Sequence, residues 1–141
     1  MRHRAAYAVT STPHPLARHL LWVDCTAGAV AGAVVLLLAE WLSRVEGLPV
    51  GVLRVTGAAN VAYAACSFSL AVRGRRPRWA IAALVAANAA WAAVCVALAL
   101  AFAASATGWG LAHLLGEGVF VGALAALEWA NRAELAGASG P

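Results

Sequence analysis

Residues 79–116 contain no Asp, Glu, Lys or Arg, a run of 38 residues. As one straight helix this run would be roughly 57 Å long at about 1.5 Å per residue, close to twice the hydrocarbon thickness of a bilayer. It must therefore break. The SATGWG stretch at residues 105–110 supplies the break. Two membrane spans result, one over residues 79–104 and one over residues 109–131.

The whole chain has the same character. Of its 141 residues 63% are hydrophobic and only 11% are charged, with a mean hydropathy of +0.79. A soluble domain of this size buries only about two-thirds of its chain's surface. Lipid must therefore cover much of what remains apolar. A further uncharged run, residues 55–72, meets the usual length for a span and sets a second span over residues 51–72, with Arg54 near its start. The first span covers residues 19–43. Its core, residues 25–39, is uncharged and bracketed by Asp24 and Glu40. Gly28 and Gly32 stand at the spacing that lets two helix backbones approach closely. The turn RVEGLPV, residues 44–50, joins the first two spans through Gly47 and Pro49. The expected fold is all-α, an antiparallel four-helix transmembrane bundle over residues 18–132. A disordered arm over residues 1–17 precedes it and a flexible tail over residues 133–141 follows. The first apolar run is too long for a cleaved signal peptide and lacks a cleavage site, so it reads as an uncleaved span.

All ten basic residues are Arg. With both termini cytoplasmic, Arg2, Arg4, Arg18, Arg73, Arg75, Arg76, Arg78 and Arg132 lie inside and only Arg44 and Arg54 outside. Eight against two follows the positive-inside rule; the expected location is a bacterial cytoplasmic membrane. The net charge of +4 does not point to nucleic acid, because the Arg residues flank apolar spans with no aromatic platform between them. Cys25, Cys66 and Cys95 lie in three different spans without a CxxC and read as small apolar core residues.

Few polar residues fall at depth. Glu117, Asn60 and Asn88, from the fourth, second and third spans, all lie near the midplane of a core roughly 30 Å thick. His113 is four residues before Glu117 and shares its face, which continues through Leu124 and Glu128. Asn88, Trp91 and Cys95 share a face of the third span, and Asn60 and Ser67 one of the second, with Tyr63 nearby. An ionisable group inside a membrane is costly and faces the protein interior by default. Two readings fit. In one, Asn60, Asn88 and a protonated Glu117 form a hydrogen-bonded layer that fixes packing. In the other, Glu117, His113, Asn60, Asn88 and Trp91 line a small binding or proton-handling site. Glu40, Arg44, Arg54 and His113 read as interfacial ion pairing on the outer side. Asp24 and Glu128 have Arg18, Arg76, Arg78 and Arg132 as candidate partners on the inner side.

Catalytic templates fail. There is no phosphate-binding glycine loop, no HExxH and no nucleophile–base pair. HLLGE offers two metal ligands where zinc needs three or four, and His113 and His19 sit at opposite ends of the bilayer, which excludes a bis-His haem. No catalytic, cofactor or metal residue is expected.

LPVGVLRVTG at residues 48–57 and NAAW at residues 88–91 resemble a group of uncharacterised bacterial four-helix integral membrane proteins. The four-span plan with Gly in the first span is similar to DoxX-like proteins. The resemblance implies a four-helix membrane bundle. DoxX-like proteins are linked to redox membrane complexes, but no cofactor ligand here carries that over. The expected function is a non-enzymatic accessory subunit or a binder of a small apolar ligand. A small oligomeric proton-coupled transporter using Glu117 is the alternative, and a membrane redox component comes third. Its partners would be the lipid bilayer and a second copy or another membrane subunit, with no nucleic acid.

Overall fold

The structure, a computed structural model, describes residues 15–74 and 76–136, with side chains from residue 19 on. Residues 1–14 of the expected arm, residues 137–141 of the expected tail, and Arg2, Arg4 and Arg75 of the orientation argument lie outside the described residues, as does the Arg18 side chain. The described chain is all-helical: α1 (Pro15–Leu37), α2 (Ala39–Glu46), α3 (Val50–Ala71), α4 (Arg78–Ala101), α5 (Gly108–Ala130) and α6 (Arg132–Leu135). Three helices are long and apolar enough to cross a membrane: α1 over His19–Leu37, α4 and α5. At 22 residues α3 has a similar length, about 33 Å. It is less apolar, because it carries Arg54, Thr56, Asn60, Tyr63 and Ser67.

Several boundaries differ from the sequence expectation. Helix α1 starts at Pro15, inside the expected arm, where proline suits a first helical turn. It ends at Leu37, not at residue 43. Leu38, at φ −108 and ψ 13, leaves the helical region, and the chain restarts as α2. The kink turns Ala39 and Glu46 inward while Glu40, Trp41 and Arg44 stay exposed. Gly47 closes α2 in the left-handed conformation, φ 70, and the fully buried Leu48 anchors the following turn. Ser43 Oγ donates to the Leu48 carbonyl at 2.6 Å. Helix α4 stops at Ala101, and Thr107 caps α5 by accepting from the Gly110 N–H. The start of the expected flexible tail is the short helix α6, whose Leu135 is buried in the core.

Helix α1 packs along α3 and α4 along α5. The first contact is backbone against backbone. A Cβ built on Gly32 would lie 2.7 Å from the Gly57 carbonyl oxygen, so only glycine allows this approach. In the second pair, Gly118 of α5 sits against Cys95 and Ala92 of α4. Two apolar clusters lie at opposite ends. One joins Leu20 and Leu21 of α1, Leu70 of α3, Ile81 and Leu84 of α4, Leu124 of α5, and Leu135. The other joins Val35, Ala39, Leu48, Leu53, Ala99 and Leu114. Between them the interior is polar. The outer surface is apolar, with Val55, Trp79, Leu100, Trp109 and Val119 all exposed, a surface suited to lipid and costly in water. Cys25 and Cys95 are buried as expected of core residues, whereas Cys66 is exposed on that outer surface; all three thiols are free.

Candidate functional site

The site begins at the end of α2. Glu46 is held there from two sides. Its backbone carbonyl accepts the Thr107 N–H at 2.8 Å, and Thr107 Oγ1 donates to the Val45 carbonyl at 2.8 Å. Gly110 lets the start of α5 close on it, because a Cβ at that position would strike the Glu46 carbonyl. These contacts bury the Glu46 side chain within reach of α5. His113, one turn further along α5, has Nδ1 3.0 Å from Glu46 Oε1 and Nε2 3.5 Å from Glu117 Oε2. Both ring nitrogens face carboxylate oxygens, and a histidine can donate to both only as imidazolium.

Glu117 is the hub of this end. Asn60 Nδ2 of α3 donates to Glu117 Oε1 at 2.8 Å. Trp91 Nε1 of α4 donates to the same oxygen at 2.7 Å. Every contact that the Glu117 carboxylate makes comes from a donor, so it needs no proton of its own to be satisfied. Three helices thus converge on one carboxyl group, joining the two helix pairs at mid-length.

A second network lies further along the bundle. Asp24 of α1 accepts from Tyr63 Oη at 2.7 Å and from Ser67 Oγ at 2.6 Å. Asn88 Nδ2 of α4 bridges Asp24 Oδ1, at 3.3 Å, and Glu128 Oε2 of α5, at 3.1 Å. Asp24, Ser67, Asn88 and Glu128 are all buried, the last with no exposed surface. Burial of such groups is tolerated only when their hydrogen bonds are made. Three carboxyl oxygens depart from this: Glu128 Oε1, Glu46 Oε2 and Glu134 Oε2 are buried without a partner among the described residues.

Between the two networks lies a cavity of about 150 Å³, lined in part by Asp24, Asn60, Tyr63, Asn88, Trp91 and Phe120. Tyr63 and Ala87 also line a groove of about 500 Å³ on the outer surface between α3 and α4, which reaches Arg73 and Trp79. The cavity and that groove therefore share two wall residues.

The structure brings His113, Asn60 and Trp91 to Glu117. It places Asn88 on the opposite side of the cavity, so the single layer expected from depth is two networks. The expected ion pairs are rearranged as well. Arg54 does meet Glu40, at 3.2 Å and exposed. His113 turns inward to Glu46 instead of joining them. Among the described side chains, Asp24 and Glu128 bond to Tyr63, Ser67 and Asn88 and to no arginine; the Arg18 pairing lies outside the described residues. Arg76 donates instead to three carbonyls, those of Leu70 at 2.6 Å, Ala71 at 3.0 Å and Leu135 at 3.0 Å. It caps the end of α3 and ties it to α6, and burial holds its guanidinium below the usual arginine value. Arg132 lies over the Trp129 ring, 4.2 Å from its centre. Sequence reasoning missed Glu46, whose position in a turn gave no sign of burial, and Asp24, which looked like a span boundary. The signal for Asp24 was present in Asn60, Tyr63 and Ser67, a polar face on α3 that needed a partner.

The arrangement can hold a small molecule or pass protons between carboxyl and imidazole groups. Among the described residues no group of three or more His, Cys, Asp or Glu side chains is placed to hold a metal ion. The fold and site define an all-helical chain with three helices able to cross a membrane and a polar, cavity-bearing interior. No family model matches this chain, and neither a curated protein nor a solved structure matches it.

Proposed function

We propose that this protein is a non-enzymatic, multi-pass protein of a bacterial cytoplasmic membrane that binds a small ligand between its two helix pairs. On this reading α1, α3, α4 and α5 form an antiparallel four-helix bundle. The two end clusters support it, since each combines the start of some helices with the end of others. The arginine bias puts both termini on the cytoplasmic side. A reporter fused after Pro141 should then be active only in the cytoplasm, and one inserted within residues 44–50 only outside.

The cavity carries the functional reading. It is lined by apolar side chains with a few convergent polar groups, the usual composition of a small-molecule site. Purification in native-lipid nanodiscs followed by native mass spectrometry should find a small molecule bound at one per chain. Ala87→Leu, which narrows the cavity, should release it. A stoichiometric partner subunit with no small molecule would instead make the chain an accessory component.

The Glu46–His113–Glu117 chain favours a second reading, proton-coupled transport by an oligomer. It leads from the end of α2 to a carboxylate at mid-length, whose partners Asn60 and Trp91 line the cavity. His113→Gln should then fold normally and abolish proton flux into proteoliposomes. Unchanged flux would end that reading.

A further inference from the structure

We infer that the cavity takes a small organic cation, a protonated or quaternary amine. The inference rests on the cavity being a ligand site and adds the chemistry of its occupant.

Charge balance is the first argument. Around the cavity the side-chain donors are already committed to carboxylates. Tyr63, Ser67 and Asn88 donate to Asp24, Asn88 also to Glu128, and Asn60 and Trp91 to Glu117. Among the described side chains, only one basic group, His113, is bonded to any of these three carboxylates or Glu46, and it lies between Glu46 and Glu117. Arg76 is engaged on carbonyl oxygens and Arg54 on Glu40. Among the described side chains the interior therefore holds more carboxyl than basic groups, and one of the carboxyls, Asp24, forms part of the cavity wall. A buried charge without a counter-charge is costly, and an entering cation relieves it.

The second argument is independent of the hydrogen-bonded pairs. Glu128 has no exposed surface, and its Oε1 has no donor among the described residues. Among the described residues the network is thus short of a donor at Glu128, which lies behind the cavity wall and is joined to the wall residue Asp24 through the Asn88 amide.

The third concerns the walls. Trp91, Tyr63 and Phe120 line the same cavity as Asp24. Aromatic faces attract cations and leave neutral apolar groups with no comparable electrostatic gain. A metal ion would meet too few oxygens here, whereas an amine with methyl or methylene groups meets both the carboxylate and the rings. The volume, about 150 Å³, limits the occupant to a small amine. The α3–α4 groove, sharing Tyr63 and Ala87 with the cavity, offers such a molecule a lateral route.

Tetramethylammonium and its neutral analogue tert-butanol separate the possibilities, titrated calorimetrically into the full chain in maltoside micelles. Saturable tetramethylammonium binding, roughly tenfold or more tighter than tert-butanol, is expected from charge and ring attraction together. Asp24→Asn and Phe120→Leu should each weaken it while the thermal melt shows a folded chain. Phe120→Leu serves as the test if Asp24→Asn fails to fold, since Phe120 makes no hydrogen bond in either network. Equal binding of the two probes, lost in Ala87→Leu, would leave the cavity a ligand site and overturn the cation. Tetramethylammonium binding indifferent to Phe120→Leu and to Ala87→Leu would place the cation elsewhere and overturn the inference. Binding of neither probe would overturn the cavity reading with it.

Discussion

Gly32→Ala tests how the first helix pair is built. A methyl at Gly32 would lie 2.7 Å from the Gly57 carbonyl oxygen, 2.8 Å from Val61 Cγ2 and 2.9 Å from Val61 N. Two of these three atoms are backbone, so α3 must move as a body; rotation of one side chain cannot relieve the clash. Overpacking of this kind costs about 1–3 kcal/mol. Alanine also gains up to about 1 kcal/mol of helix propensity over glycine, which blurs a single measurement. Gly28→Ala removes that ambiguity. It lies one turn earlier on the same helix, gains the same propensity, and its Cβ would meet Ala64 Cβ at an ordinary 3.4 Å. The difference between the two variants therefore isolates the steric term, about 1–3 kcal/mol in favour of Gly28→Ala. Gly32→Leu should lose at least as much as Gly32→Ala. Unfolding by dodecyl sulfate in maltoside micelles, followed by circular dichroism, measures each value. If the two alanine variants unfold alike to within about 0.5 kcal/mol, α1 and α3 do not approach as described.

Three further outcomes follow from the site. Glu117→Leu leaves the Asn60, Trp91 and His113 donors unpaired and should cost about 1–3 kcal/mol for each donor that finds no water, whereas Glu117→Gln keeps an acceptor and should cost less; the same unfolding assay ranks them. Gly110→Ala should push α5 away from the Glu46 carbonyl and break the Glu46–His113 contact, read as a change in the His113 ring resonances by NMR, with Gly116→Ala, which meets nothing within 4 Å, as the silent control. Arg76→Ala removes three hydrogen bonds to carbonyls and should lower the melting temperature. Arg76→Lys should not restore it, because a single ammonium cannot reproduce the guanidinium fork; full rescue by lysine would show that charge alone matters.

The membrane character of this protein is a property of composition and run length, and it is legible without coordinates. A 38-residue stretch free of charge can only be accommodated by lipid and by a break, and the break falls where the small residues are, between Ala101 and Gly108. The closeness of Gly32 to its neighbour and the inward face of Glu117 were legible for the same reason: each follows from a local spacing and a single solvation cost. The kink at Leu38, the burial of Glu46 and the partnership of Asp24 with Tyr63, Ser67 and Asn88 were not. The last two depend on residues 39 to 67 positions apart in the chain, and no periodicity along one helix encodes which polar face of another will meet it. Depth alone grouped Asn88 with Asn60 and Glu117. Packing separated them, because the helix pairs touch closely within themselves and leave between them a cavity that one network borders on each side. Hydropathy sets which segments leave water. Which buried polar groups share a hydrogen bond is decided by helix rotation and by the approach distance that Gly32 and Gly110 permit, and those exist only in three dimensions.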